Sequence, residues 1–419
     1  MKESIQNIMN SSHGYLLYLA IILFSTKLCG LLTKKIQLPQ VVGALCAGLI
    51  LGPACLGLVS ETDFIKAISE IGVIVLMFTA GLETDIKELK KTGLASLIIA
   101  VLGVIVPLVC GWGVATIFNT EQQEGMSSLL LQNIFIGVIL TATSVSITVE
   151  TLKEMGKLST KAGNAIIGAA VIDDILGVIV LTIITSTAGG DGGSGEILMT
   201  LLKILLFFVF AIVIALAFNF LFNKWSGRSK TDLRRYVIIA FVFCLIMSFC
   251  AEYFFDVADI TGAFVAGLAL SNGPRATYLN NRFNTLSYML LSPVFFASIG
   301  LKVVLPSMSM SIIIFSLVLL VVAILTKIVG CGLGAKICKF STKDSARIGI
   351  GMISRGEVAL IIASKGETVG LMNPTYFAPI IIVVVITTII TPILLKLAYK
   401  SKKGDQTPNA NKTAPAEAK

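Results

Sequence analysis

Thirteen apolar runs separated by short polar connections set the terms for this chain. Each can be fitted to a hydrocarbon core of about 30 Å. They cover residues 14–34, 40–58, 65–83, 93–117, 130–152, 162–187, 196–222, 235–254, 257–272, 284–301, 309–335, 346–364 and 371–397, the ninth being the shortest. Charged residues make up 14% of the 419, against about 25% in soluble domains, and 55% are hydrophobic. The pattern predicts an all-α polytopic membrane protein in contact with the lipid bilayer. The net charge of +9 does not point to nucleic acid, because the basic residues recur in short loops rather than on one basic module. His13 is the only histidine and no CxxC occurs among the eight cysteines, so a zinc or iron–sulfur centre lacks its usual ligands. No cofactor is expected. The first run has little positive charge before it and no small-residue cleavage site after it, and is read as a span, not a signal peptide. The polar, Pro/Ala-rich tail after Lys403 is expected to be disordered.

Loop charge fixes an expected orientation. Alternate connections and the C-terminal flank carry 23 Lys and Arg, from Lys34 and Lys35 through Arg234 and Arg235 to Lys402 and Lys403. The opposite set carries Lys2, Lys66, Lys302 and Lys365. The richer side faces the cytoplasm by the positive-inside rule. The N-terminus is then outside and the C-terminus inside, which requires an odd number of spans.

An internal repeat is visible. Val42-Gly43-Ala44-Leu45-Cys46-Ala47-Gly48-Leu49 resembles Thr261-Gly262-Ala263-Phe264-Val265-Ala266-Gly267-Leu268, at an offset of 219 residues. The same offset aligns Gly81-Leu82 with Gly300-Leu301. Paired spans lie seven apart, so the copies cross in opposite directions. Two inverted six-span repeats, 1–6 and 8–13 with span 7 as connector, are the pattern of secondary transporters with sites near the midplane. A generic small-residue packing pattern would look similar in one span; here two spans agree in register.

The ionisable residues inside the runs carry the chemistry. Asp173 and Asp174 sit side by side in the sixth run, about 18 Å from its cytoplasmic start at 1.5 Å per residue. A charge at that depth costs roughly 2.5–3.5 kcal/mol on insertion scales. Successive side chains diverge by about 100° around a helix, so the two acids need not share a task. Lys327, about 14 Å deep in the eleventh run, needs a partner, and the acids at similar depth are the candidates. The twelfth run contains Ser354-Arg355-Gly356-Glu357 after Gly349 and Gly351, which predicts a broken helix, since irregular backbone at membrane depth survives only inside protein or beside water. Arg355 and Glu357 are expected to stabilise that break electrostatically. The fifth run, its repeat partner, holds Thr141, Thr143, Ser144, Ser146 and Thr148. Hydroxyls often bond back to the preceding turn. With freed carbonyls and a carboxylate they also form a hard-oxygen site suited to an alkali cation. Asp173, Asp174, Thr143, Ser144 and Ser146 are therefore the candidate cation ligands.

This constellation resembles the bacterial sodium/proton antiporters of the second cation–proton antiporter family. The residues that carry it are Asp173-Asp174, the Thr/Ser-rich fifth run, Lys327 and Ser354-Arg355-Gly356-Glu357. The resemblance implies a homodimer in the inner membrane. It implies a dimerisation scaffold from residues 1–91 and 231–305, a linker helix over 191–230, and a mobile core from 92–190 and 306–400. Residues 401–419 are the tail. It further implies that spans 5 and 12 cross as two discontinuous helices, that Asp174 is the shared cation and proton carboxylate, and that Asp173 pairs with Lys327. A proton or a cation neutralises such a site, while the empty charged state is costly to move, which gives obligatory exchange of Na+ (or Li+) for H+. Proton release from Lys327 would make that exchange electrogenic. A related potassium-efflux branch shares the Arg-Gly-Glu segment and carries a soluble nucleotide-binding domain, to which the tail here bears no likeness.

Oxygen ligands do not themselves choose between Na+ and K+, so K+/H+ exchange stands as the alternative. A sodium-coupled organic anion symporter leaves the acid pair and Lys327 without a role. A channel would call for a filter-like carbonyl motif. An intramembrane protease needs its two aspartates on separate helices.

Overall fold

A computed structural model describes residues 13–35, 38–84, 86–120, 126–188, 194–226, 234–303 and 309–400. Those residues are helical with no strand among them. The helices are α1 (Gly14–Lys35), α2 (Gln40–Leu51), α3 (Asp63–Glu83), α4 (Ile86–Phe118), α5 (Leu129–Thr141), α6 (Val145–Glu154), α7 (Lys161–Ala188), α8 (Ser194–Ser226), α9 (Arg234–Phe255), α10 (Asp259–Leu270), α11 (Ala276–Leu286), α12 (Ser292–Leu301), α13 (Met310–Ile337), α14 (Thr342–Gly351), α15 (Glu357–Thr368) and α16 (Phe377–Tyr399). A wide π turn, Ser287–Leu291, joins α11 to α12. Polar N-caps start several of them: Thr62 accepts from Ile65 N at the head of α3, and Ser341 from Asp344 N at the head of α14.

Among the described residues ten helical stretches are long and apolar enough to cross a membrane. The α5–α6 and α11–α12 pairs each count as one of these stretches. The thirteen runs of the sequence all contain helix, but several ends differ. The second run is helical only to Leu51 and then turns, and the ninth only from Asp259 to Leu270, so α2 and α10 have 12 residues each. The helix of the tenth run begins earlier than its apolar pattern, at Ala276, and that of the fourth at Ile86. Hydropathy misses these ends because Leu56, Leu58 and Val59 keep the second run apolar beyond Gly52 and Pro53. The tail lies outside the described residues.

Packing sorts the helices into two groups. α4–α7 pack with α13–α16, and α1–α3 pack with α9–α12, while α8 packs on α9 and α10. The principal joints between the groups are α7 on α8, α6 on α2 and α3, and α16 on α2. In the second group, glycines let backbones touch in a crosswise pattern. A Cβ on Gly48 of α2 would stand 2.1 Å from the Ala297 carbonyl oxygen of α12, and one on Gly267 of α10 would stand 2.1 Å from that of Phe78 on α3. Gly81 and Gly300 close the same two contacts from the other side. The short helices α2 and α10 thus pack against α12 and α3 in matching ways.

Candidate functional site: crossing breaks around a buried ion pair

The chain between α5 and α6 is extended, with Ala142 at φ −56°, ψ 136° and Ser144 at φ −89°, ψ 105°. The chain between α14 and α15 is open over residues 352–356. The two openings cross and bond to each other. Ser144 N donates to the Ser354 carbonyl at 2.7 Å, and the Ser354 hydroxyl donates to the Ser144 carbonyl at 2.8 Å. Thr148 Oγ1 donates to the Gly351 carbonyl at 2.7 Å and lies 3.1 Å from Ser354 Oγ. Gly356 makes the crossing possible, because a Cβ there would stand 2.7 Å from Ser144 Oγ. Helix ends leave unpaired polar groups that must be satisfied when buried. α16 satisfies part of the second break: Arg355 N donates to Thr387 Oγ1 at 3.3 Å, and Thr388 Oγ1 donates to the Arg355 carbonyl at 2.5 Å.

Arg355 is fully buried. Its Nη1 donates to the Ile353 carbonyl at 2.9 Å, and its Nη2 to the carbonyls of Leu140 at 2.9 Å and Ala323 at 3.0 Å. Leu140 lies in the last turn of α5, so the guanidinium sits where the negative end of a helix dipole favours a cation. One side chain therefore ties both breaks to α13. The side chain of Glu357 lies outside the described residues; its backbone begins α15.

Lys327 on α13 and Asp173 on α7 are both buried, at 0% and 2% exposure. Lys327 Nζ lies 3.2 and 3.3 Å from the two carboxylate oxygens. Gly103 of α4 lets that helix close over the pair: a Cβ there would stand 3.8 Å from both Asp173 Oδ1 and Lys327 Nζ and 2.6 Å from Cys331 Sγ. Sequence reading passed over Gly103, whose one signal is a lone glycine in a bulky apolar helix. Thr143 Oγ1 is buried without a hydrogen bond of good geometry, within electrostatic reach of Asp173.

The two aspartates point to different neighbours. Asp173 lies inside the first helix group with Lys327 and Thr143. Asp174 is half-buried and lines a cavity of about 10 Å³ between the groups, with Val178 of α7, Ile204 of α8, Asp256, and Thr261 of α10. The candidate ligands Thr143, Ser144 and Ser146 are all buried at the first break. Ser144 contributes its backbone groups to the crossing.

Crossed broken helices around buried charges, within an all-helical polytopic chain, define a secondary ion transporter. Comparison with known proteins makes the class particular. The family described as sodium/hydrogen exchanger, transmembrane, matches residues 20–399. The chain is 39% identical to the Na(+)/H(+)-K(+) antiporter GerN of Bacillus cereus over 384 residues, 92% of this chain and 96% of the relative. It is 39% identical to an Na(+)/H(+) antiporter of Enterococcus hirae over 393 residues, covering 92% and 97%. It is 31% identical to the high-affinity Na(+)/H(+) antiporter NhaS3 of Synechocystis, covering 94% and 92%. The solved sodium proton antiporter MjNhaP1 of Methanocaldococcus jannaschii shares the fold, with a TM-score of 0.66 at 18% identity over 92% of this chain and 98% of that one. The chain belongs to the sodium/hydrogen exchanger family, and is a multi-pass transporter rather than an enzyme.

Proposed function

We propose that this chain exchanges Na+ (or Li+) for H+ by alternating access, with Asp174 as the carboxylate that binds either. The observation that carries the reading is the buried Lys327–Asp173 pair beside the crossing breaks, with Asp174 turned out to the joint between the helix groups. The pair takes Asp173 out of competition for the cation, so Asp174 is the acid placed to load and unload. Thr143, Ser144 and Ser146 supply oxygen near the breaks, and Arg355 holds those breaks in shape. A proton or an alkali cation neutralises Asp174; the empty carboxylate does not cross the apolar joint. That asymmetry couples the two fluxes.

The grouping of helices supports a moving core of residues 92–190 and 306–400 against a scaffold of 1–91 and 231–305. The crosswise glycine contacts support two inverted repeats. Loop charge supports an inner-membrane protein with its N-terminus outside and its C-terminus in the cytoplasm, and the scaffold is assigned to homodimer formation. Proton release from Lys327, if it accompanies ion binding, makes the cycle electrogenic. K+/H+ exchange is kept as a second reading because GerN carries K+ in its name.

The test is quenching of a pH-gradient dye in proteoliposomes, with Na+, Li+ and K+ added in turn. Wild-type protein is expected to dissipate the gradient with Na+ and Li+, and Asp174→Asn to lose at least about 90% of that rate, a barrier change of about 1.4 kcal/mol or more. Full exchange by Asp174→Asn would overturn the assignment.

A further inference from the structure

The scaffold side of the Asp174 cavity carries a buried hydroxyl with an unmet hydrogen-bonding need. Thr261 is 1% exposed and its Oγ1 makes no hydrogen bond. It lies in the first turn of α10 and lines the same cavity as Asp174. A buried hydroxyl without a partner costs roughly 1–3 kcal/mol. Packing gives no reason for that cost, because valine has the same shape. The repeat supplies the comparison: the 219-residue offset pairs Thr261 with Val42, so only the copy facing Asp174 carries the hydroxyl.

The size of the space fits a particular occupant. About 10 Å³ is room for a single water-sized guest. A hydrated alkali ion does not fit, so an ion here must exchange its water for oxygens of the wall. The side chains on that wall that carry hard oxygens are those of Asp174, Thr261 and the more exposed Asp256, which is ion-paired with Lys203. The head of α10 adds the positive end of a helix dipole, which opposes a cation. Asp259 in its first turn and Asp256 just before it bring negative charge to the same end.

We propose that Thr261 is a ligand of the transported alkali cation, supplied by the scaffold to the ion held on Asp174 in this conformation. The cation site is then completed across the joint between two helix groups, and separates into halves when the core moves. A proton on Asp174 needs no such oxygen cage. Thr261 therefore favours the metal ion over the proton, and favours release of the ion when the core leaves α10. This rests on the reading of Asp174 as the ion-carrying carboxylate.

The experiment uses the full chain in proteoliposomes with Na+ as the probe, comparing wild type, Thr261→Val, Thr261→Ser and Asp174→Asn. Thermal unfolding of each purified protein is measured alongside. Thr261→Val is expected to raise the apparent KM for Na+ about fivefold or more, to leave the saturated rate within about twofold, and to melt no lower than wild type, since it removes an unpartnered polar group. Thr261→Ser is expected to keep the wild-type KM. A KM within about twofold of wild type for Thr261→Val, a KM for Thr261→Ser as high as for the valine variant, or a lowered melting temperature for Thr261→Val would each overturn the proposal. The Asp174→Asn arm separates the two claims. Its inactivity alongside an unchanged Thr261→Val sinks only the ligand role of Thr261, whereas its full activity sinks the reading of Asp174 itself.

Discussion

At the scale of single residues, the chain keeps its charges in separate jobs. Lys327 and Asp173 neutralise each other under the cover of α4, and Arg355 donates to three backbone carbonyls. Removing one member of a buried ion pair typically destabilises by about 3–5 kcal/mol, because the other is left uncompensated, while removing both charges is far milder. Lys327→Met is therefore expected to lower the thermal unfolding temperature of the detergent-purified protein sharply, and Lys327→Met with Asp173→Asn to recover most of that loss. Equal melting of the single and double variants would show that the two charges do not depend on each other. Much of this scale was legible in the sequence. Charges inside apolar runs are few, and counting residues from the loop lysines puts Lys327 and the two acids at similar depth. What counting leaves open is direction. Only the helix rotation in the fold turns Asp173 inward to Lys327 and Asp174 outward to α8 and α10.

At the scale of elements, the two breaks behave as one structure. Each supplies hydrogen-bond partners that the other lacks, through Ser144, Thr148, Gly351 and Ser354, and α16 and Arg355 meet remaining needs. The close approach of Gly356 to Ser144 is the tightest point of this crossing. Gly356→Ala places a methyl 2.7 Å from Ser144 Oγ and 2.8 Å from its Cβ, so the crossing must open. Overpacking of this kind costs typically about 1–3 kcal/mol. The variant is expected to lose most of its Na+-driven proton flux in the dye assay while still inserting as a folded protein; wild-type flux would mean that the crossing has slack. The second break could be read from its glycines and charges, the first only as its counterpart through the repeat and the family resemblance. The π turn at 287–291 and the early ends of α2 and α10 could not, since neither a widened turn nor a helix end interrupts an apolar run.

At the scale of the molecule, the proposed exchange depends on one boundary. Asp174 faces it, and the two helix groups meet along it through a few polar contacts as well as apolar packing. Lys153 of α6 donates to Thr79 of α3 at 2.9 Å, and Glu154 accepts from Gln40 N at the head of α2 at 2.8 Å. The glycines that aligned the two motifs in the sequence are the ones in the crosswise contacts of the second helix group, because close backbone approach needs glycine and leaves a mark in the residues. The boundary itself left no such mark: the residues along it come from distant parts of the chain and are apolar, polar and charged by turns. The central claim is that one carboxylate at this boundary takes Na+ or H+ but not both. Its most direct test is the apparent KM for Na+ in proteoliposomes measured across pH at a clamped potential. Competition for a single site predicts, by mass action, a KM that rises about tenfold for each unit by which the pH falls once the proton outcompetes the ion, with the maximal rate reached at saturating Na+ little changed. A KM for Na+ that stays constant while proton concentration changes a hundredfold would contradict the account.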